Sequence, residues 1–289
     1  MDTASLSISP CELAAIAGRA DAPLLLDVRP EGRFAASGHM LAGAIRCRPD
    51  QLAGFAASQP PRDVVACCVY GHEISRESAQ TLRDAGWDAR YLAGGFEGGE
   101  SGVDTPQEIE RWRATPPLRL RKRPDLGVSG EQASRWITRA RPKIDRIACP
   151  WLVRRFIDPR AEFLYVPTGQ VLGEARRLGA VAYDIPGAPI SHEGELCSFD
   201  TLIEAFELRD PALDRLARIV RGADTDRLAL APQAAGLLAV SLGLSVLYAD
   251  DQRMLEAAMP VYDALLAWCR SACAEKHGWN FAATAGAPA

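Results

Sequence analysis

Several signals that would narrow the function of this 289-residue chain are missing from it. No Gly-x-Gly-x-x-Gly stretch occurs, so an oxidoreductase fed by a dinucleotide has no recognisable fingerprint. No Cys-x2-Cys pair and no His-x3-His spacing occur, which removes the common zinc frameworks. No helix-turn-helix or zinc-finger pattern is recognisable, and nucleic acid is not expected as a partner. The apolar run Pro23–Val28 is too short for a membrane span. The run Ala229–Tyr248 is broken by Pro232, Gln233, Gly236, Ser241 and Gly243, and reads as a buried helix. The opening Met-Asp-Thr-Ala-Ser lacks a basic region followed by an apolar core, so no secretory signal and no membrane partner are expected. No internal repeat is visible.

What is present is ordinary for a soluble globular protein: 48% hydrophobic and 24% charged residues, enough to bury real cores. The length makes two domains the default expectation. Eight cysteines are scattered without repeated spacing, and two are adjacent at Cys67 and Cys68. That pattern predicts reduced thiols in the cytoplasm, not a secreted disulfide framework. The net charge is only −4, yet Arg111 to Arg160 holds fourteen Lys/Arg against four Asp/Glu. Such asymmetry marks either an anion or nucleic-acid surface or a solvated linker plus helix faces.

The first half alternates strand and helix signals. Ser9-Pro10-Cys11-Glu12 and Thr105-Pro106-Gln107-Glu108 each combine a capping hydroxyl, an early proline and a glutamate three residues on, so each opens a helix. Pro23–Val28, Asp63–Cys68 and Ala89–Leu92 read as strands, and Ser75–Ala85 as a helix ended by Gly86. This alternation predicts an α/β domain over residues 1–115, a parallel sheet with helices on both faces. Residues 116–133, rich in Pro and Arg, read as an extended linker. Residues 134–289 read as a mainly helical α+β second domain. It has a helix at Pro150–Asp158 with proline in its first turn, strands at Glu162–Pro167 and Ala180–Ile185, a capping box at Thr201–Glu204, and helices at Pro211–Val220, Pro232–Tyr248 and Asp251–Ala274.

Cys68 ends the second strand, and Val69, Tyr70, Gly71, His72, Glu73, Ile74 and Ser75 follow before the helix. A thiolate placed there is stabilised by backbone N–H groups curled around it and by the following helix N-terminus. Gly71 permits the tight turn, and strand alternation points Cys67 to the other side. Four landmarks extend the pattern: Leu-Leu-Leu-Asp27-Val28-Arg29-Pro30, Gly38-His39 through Ala44-Ile45, the Cys68 loop, and Tyr91-Leu92-Ala-Gly94-Gly95-Phe96-Glu-Gly98.

Over residues 9 to about 113 these strongly resemble the rhodanese family. The resemblance implies sulfur transfer through a persulfide on Cys68, with small-molecule or protein thiols as sulfur donor and acceptor and no cofactor required. It also implies that Asp27 and Arg29 form an ion pair near the loop, and that His39 is structural. The commoner family loop ends with a basic residue five positions after the cysteine. Here Glu73 stands there and Arg76 lies on the helix, which weakens the expectation of thiosulfate binding. The related phosphatases need Cys-x5-Arg, and Ile74 occupies that position.

Residues 142–158, from Pro142-Lys143-Ile144-Asp145-Arg146 through Cys149-Pro150-Trp151 to Asp158, resemble the opening of the chromate resistance protein C-terminal domain family. So do Ser191–Asp200 and Val220–Thr225, and the resemblance runs from about residue 134 to the end. It implies a link to chromate, a tetrahedral oxyanion. The residues themselves suggest two sites. Lys143, Arg146, Arg154 and Arg155 flank an expected helix start at Cys149-Pro150, a setting for anion binding and for a redox-active Cys149. His192, Glu195 and Cys197, with Asp145 and Asp224 joining through the fold, offer N/O/S ligands for a divalent transition metal. Cys269 and Cys273, Trp268, Trp279 and His277 are read as packing or as nothing specific. The leading reading is a sulfurtransferase fused to a chromate-resistance domain. A chromate- or redox-responsive regulator and a thiol- or metal-dependent chromate reductase stand as alternatives.

Overall fold

A computed structural model describes residues 6–275, so His277 and Trp279 lie outside the described residues. The first domain contains β1 (Ser7–Ile8), α1 (Pro10–Ile16), β2 (Leu24–Asp27), α2 (Glu31–Ala36), β3 (His39–Leu41), β4 (Ala44–Arg46), α3 (Leu52–Ser58), β5 (Asp63–Cys67), α4 (Glu73–Asp84), β6 (Asp88–Leu92) and α5 (Pro106–Ala114). Five strands pair in the order β1-β6-β5-β2-β4, every pair parallel. β5 is therefore the central strand, and Cys68 follows its C-terminal end.

Both expected capping boxes form, on Ser9 with Glu12 and on Thr105 with Glu108. The reason is local: each hydroxyl accepts the N–H three residues on, and each glutamate reaches back. The helix expected at Ser75 begins two residues earlier, at Glu73.

Strand alternation sorts the sheet's residues into two cores. Leu24, Leu26, Val64, Ala66 and Cys68 pack with Leu52, Ala79 and Leu82 of α3 and α4. Leu25, Val65 and Cys67 face the other way, against Leu13 and Phe34 of α1 and α2, and this core continues into Trp151, Phe156 and Phe199 of the second domain. The two domains thus share one buried apolar body.

The stretch 116–133, expected as an extended linker, is packed, and it turns back on itself at Pro124–Leu126. Arg119–Arg121 forms β7, antiparallel to β3, with Leu120 fully buried. Arg119 lies 4.0 Å over the Phe96 ring and Lys122 4.0 Å over Phe34, so these cations lean on aromatic faces of the first domain.

The second domain contains β8 (Arg135–Arg139), α6 (Asp145–Leu152), β9 (Glu162–Val166), α7 (Val171–Leu178), β10 (Val181–Ala182), α8 (Ser198–Ala205), α9 (Pro211–Asp224), α10 (Ala234–Leu247) and α11 (Asp251–Ala267). Its parallel sheet of three strands, β10-β8-β9, carries the helices around it. No helix among the described residues is long and apolar enough to cross a membrane.

Two helix starts differ from expectation. α6 begins at Asp145, so Pro150 sits inside it. A proline cannot bond the carbonyl four residues back, and that carbonyl, of Arg146, accepts the Tyr183 hydroxyl at 3.2 Å instead. α8 begins at Ser198 with Cys197 as its N-cap and Asp200 closing the box, so Thr201 is interior. Its hydroxyl donates back to the Ser198 carbonyl at 3.0 Å. At α6 a tertiary partner takes up the freed carbonyl, while at α8 one local capping box prevails over another four residues on.

Candidate functional site

Two clusters of chemically active side chains stand out. The first is the loop after β5. Cys68 is 4% exposed. The Gly71 N–H donates to its sulfur at 3.2 Å, and Ser75 Oγ lies 3.2 Å from the same atom. Ser75 itself donates to the His72 carbonyl at 3.1 Å, which fixes the hydroxyl at the mouth of α4. The Cys68 and Val69 carbonyls accept from Phe96 and Glu97, tying the loop to the turn after β6.

The turn depends on glycine. Gly71 has φ +79°, and a Cβ there would stand 2.6 Å from the Leu92 carbonyl and under 3 Å from the Gly94 and Gly95 nitrogens. Those neighbours are backbone and cannot step aside. We expect Gly71→Ala to cost at least about 2 kcal/mol, read by chemical denaturation. Unchanged stability would mean the loop has another way to turn.

The remaining loop residues set its character. No Lys or Arg lies between Val69 and Ser75. The His72 imidazole is 2.8 Å from Asp104 and turned towards the 100–104 segment. The Tyr70 hydroxyl accepts from Arg33 at 3.3 Å. Glu73 is exposed and Ile74 half-buried, both on the first turn of α4. Arg76 lies 5.4 Å over the Tyr91 ring. A recess of about 240 Å³ beside the loop is lined by Tyr70, His72, Arg76, Tyr91, Asp104 and Arg111.

Asp27 and Arg29 pair at 2.7 Å, each 1% exposed, and Arg29 also donates to the His39 carbonyl. They brace the chain beneath the sheet's C-terminal edge. His39 lies 2.9 Å from Glu207 and bridges to the second domain. Burial, with the Asp27 charge second, pushes the Cys67 thiol well above the usual cysteine range.

The second cluster gathers around His192. Its Nε2 lies 3.2 Å from Asp145, 3.3 Å from Asp184 and 3.2 Å from Asp224. Asp145 is the first residue of α6, Asp184 follows β10, and Asp224 ends α9. One imidazole and two of these carboxylates, Asp145 and Asp184, offer ligand atoms within 4.8 Å of one another. Ser198 donates its N–H to Asp145 at 3.3 Å and its hydroxyl to Asp184 at 3.0 Å. Ile144 and Asp184 both take positive φ, 44° and 50°, strained for side-chain-bearing residues and held here by the surrounding contacts. Burial and the Asp145 charge raise Asp184 above the usual carboxylate range and push Asp224 up to about 8. The hydrogen bond to Asp145 is the main reason His192 rises to about 9.

The expected metal set is thereby corrected. Glu195 is exposed and pairs with Arg227 at 3.0 Å, away from the cluster. Cys197 points its sulfur at Asp200, 3.3 Å away, as part of the α8 cap. Burial drives its thiol far up. Asp184 takes their place. The sequence held one signal for it, a lone carboxylate inside the apolar run Ala180–Ile185.

The expected anion site does not assemble. With α6 starting at Asp145, Cys149 lies mid-helix, fully buried, and burial pushes its thiol up. Arg154 pairs with Glu256, and Arg155 with Asp263 at 2.8 Å, both on α11. Lys143 is exposed. Only Arg146 reaches the His192 cluster, 3.1 Å from Asp184, beside Arg139 at 2.9 Å.

Comparison with known proteins finds two families along the chain. Residues 9–101 match the rhodanese-like domain family, and residues 136–269 match the ChrB C-terminal domain family. Protein ChrB of Cupriavidus metallidurans is 34% identical over 135 residues, covering 46% of this chain. The chain spans only 40% of that relative's length. Among solved structures, a rhodanese homolog from the extremely thermophilic bacterium Thermus thermophilus is 27% identical, with 31% of this chain and 94% of that one covered and a TM-score of 0.26. The As-Sb reductase of Leishmania major is 17% identical over 40% of this chain and 86% of that one, with a TM-score of 0.30.

Proposed function

From a chain that carries an N-terminal rhodanese-like domain and a C-terminal ChrB domain, we propose a sulfurtransferase that holds sulfur as a persulfide on Cys68, coupled to a metal-binding domain that serves chromate resistance. The observation that carries this reading is the Gly71 N–H directed at the Cys68 sulfur at the mouth of α4. A donated hydrogen bond and a helix N-terminus both set positive partial charge against the sulfur that attacks and leaves in the transfer.

The chemistry has two steps. The Cys68 thiolate attacks the sulfane sulfur of a donor, forming a Cys68–S–S⁻ bond and releasing the donor's remaining fragment with the electron pair of the broken bond. An acceptor thiolate then attacks the outer sulfur, takes it, and restores the Cys68 thiolate. The loop has no cation to grip a dianion such as thiosulfate. Asp104 and Glu100 beside His72 also add negative charge. Low-molecular-weight or protein persulfides are the better donors. Intact mass spectrometry after incubation with such a donor tests the step, since one sulfur atom must be gained and then lost to an added thiol. Eight unpaired cysteines suit a reducing compartment, and the proposal sets the chain in the cytoplasm.

For the second domain, Asp145, Asp184, Asp224 and His192 fit a divalent transition metal. Three carboxylates crowd one imidazole, and two are raised by burial and mutual repulsion, a cost that a cation relieves. One nitrogen and three oxygens suit a borderline ion such as Mn, Fe or Zn. When bound, such an ion supplies Lewis acidity and a place for an oxyanion or water. Arg139 and Arg146, already paired with Asp184, lend the rim positive charge.

The regulator reading would need the basic stretch to meet phosphates. Much of that charge is spent inside the chain, with Arg121 on Glu207, Arg123 on Asp125, Arg135 on Glu162, Arg155 on Asp263 and Arg160 on Asp158. We expect no specific duplex binding at physiological ionic strength. A sequence-selective complex weakening steeply with salt would reverse that order. A thiol-driven chromate reductase is disfavoured by the burial of Cys149 and Cys197, the thiols beside the cluster.

A further inference from the structure

α10 is built inside out. Over Ala234–Leu247 it carries no charged residue. Its two serines face inward: Ser241 accepts the Ile144 N–H at 2.9 Å, and the Ser245 carbonyl accepts from Arg141. Ala234 and Leu237 pack inward beside them and Leu238 and Leu244 are half-buried, while Val240, Leu242, Val246 and Leu247 face outward. Among the described residues five large hydrophobics are exposed, and four of them, Val240, Leu242, Val246 and Leu247, lie on this helix. Val246 is 86% exposed and Leu247 77%. Isolated exposed aliphatics need no explanation, but a contiguous helix face whose polar residues point into the protein does.

Two glycines sharpen the point. Gly236 and Gly243 are helical and exposed, and a Cβ at either would meet nothing within 4 Å. Each costs about 1 kcal/mol relative to alanine in a helix interior, and none of the described residues uses the space they leave. Together with Ala239, Val240, Val246 and Leu247 they fall on one stripe at helical spacing. The stripe has a small end and a large end, with Gly236 and Ala239 at its start, Val246 and Leu247 at its end, and Val240 and Gly243 between.

We propose that this face is a homodimer interface, in which the α10 helices of two copies of this chain pack antiparallel across a two-fold axis. Antiparallel pairing sets the small end of each helix against the large end of the other, so one surface complements itself, as an isologous contact requires. The glycines then admit the partner's backbone and aliphatic side chains. The absence of charge removes any repulsion between identical faces. It also disfavours an anionic membrane surface, since an interfacial helix of that kind carries Lys or Arg along its polar flank. One helix pair is a small interface, so the association is concentration-dependent.

Sedimentation velocity of the full chain over a concentration series tests this. The wild type should pass from monomer to a species of twice the 31.2 kDa chain mass. Val246→Glu/Leu247→Glu should weaken association at least about tenfold with an unchanged melting temperature, because both side chains already stand in solvent. Gly236→Lys/Ala239→Lys should do the same. Mixed together, the acidic and basic variants should pair with each other, because residues 236 and 239 of one copy lie beside 246 and 247 of the other. A wild type that stays monomeric throughout overturns the proposal, and so does dimerisation indifferent to both variants. Failure of the mixture to pair overturns the antiparallel arrangement. A monomeric wild type that co-sediments with anionic phospholipid vesicles, where the acidic variant does not, assigns the face to membrane and overturns it as well.

Discussion

Cys68→Ala should abolish the gain of one sulfur atom from a sulfane donor, while Cys67→Ala should keep it. The two residues are adjacent, so the difference comes from strand alternation and what each side chain faces. Cys68 leaves β5 towards the loop, where the Gly71 N–H meets its sulfur. Cys67 turns into the core shared with Leu25 and Val65, 1% exposed. Burial and the Asp27 charge hold its thiol protonated, and attack requires the thiolate. We expect a loss below detection for Cys68→Ala. For Cys67→Ala we expect full labelling with a stability cost of about 1 kcal/mol from the sulfur removed from a packed core. The opposite pattern, labelling lost in Cys67→Ala and retained in Cys68→Ala, sinks the assignment of the nucleophile.

We expect Asp184→Asn and His192→Ala each to strip most of the metal from purified protein, measured by elemental mass spectrometry, and to leave persulfide formation on Cys68 intact. Both residues supply atoms to the cluster at α6, β10 and α9, whereas Glu195→Ala and Cys197→Ser, outside it, should keep the metal. Full occupancy in the Asp184→Asn/His192→Ala double variant rules the site out.

The same groups set a pH signature for the metal-free chain. His192 rises in the folded state from 6.5 to about 9, so its contribution is complete below the unfolded value and is lost as pH climbs through about 9. Asp224 rises from 3.8 to about 8. The folded chain therefore binds that proton more tightly too, and stability falls as pH climbs from about 4 to about 8. Both act in one direction: chelated protein should melt progressively lower as pH rises across this window. A metal held by the deprotonated ligands offsets that loss, so the difference in melting temperature with and without chelator should widen with pH. A difference that narrows or stays constant contradicts the assignment.

Some of this was legible from residues close in sequence. The capping boxes at Ser9 and Thr105 follow from contacts among neighbours a few positions apart, and the strands expected at Pro23–Val28 and Asp63–Cys68 form over Leu24–Asp27 and Asp63–Cys67. Alternation likewise separated Cys67 from Cys68 without any distant contact. His192, Asp145 and Asp224 were legible as candidate ligands because their residue types carry the chemistry. Asp184 was not, because a carboxylate after a strand declares nothing until the chain brings it to residues 39 and 40 positions away.

The sequence by itself therefore determined the parallel sheet, the placement of Cys68 at the C-terminal end of its central strand and the mainly helical second half. Tertiary structure alone decided where α6 begins, which carboxylates surround His192, and what becomes of the basic stretch. The physical reason is range. Hydrogen bonds within a turn and alternation along a strand act between neighbours and are written locally. Burial, and the choice of counter-ion for Arg121, Arg154 or Arg155, depend on groups up to about a hundred residues away, which only the folded chain brings within reach.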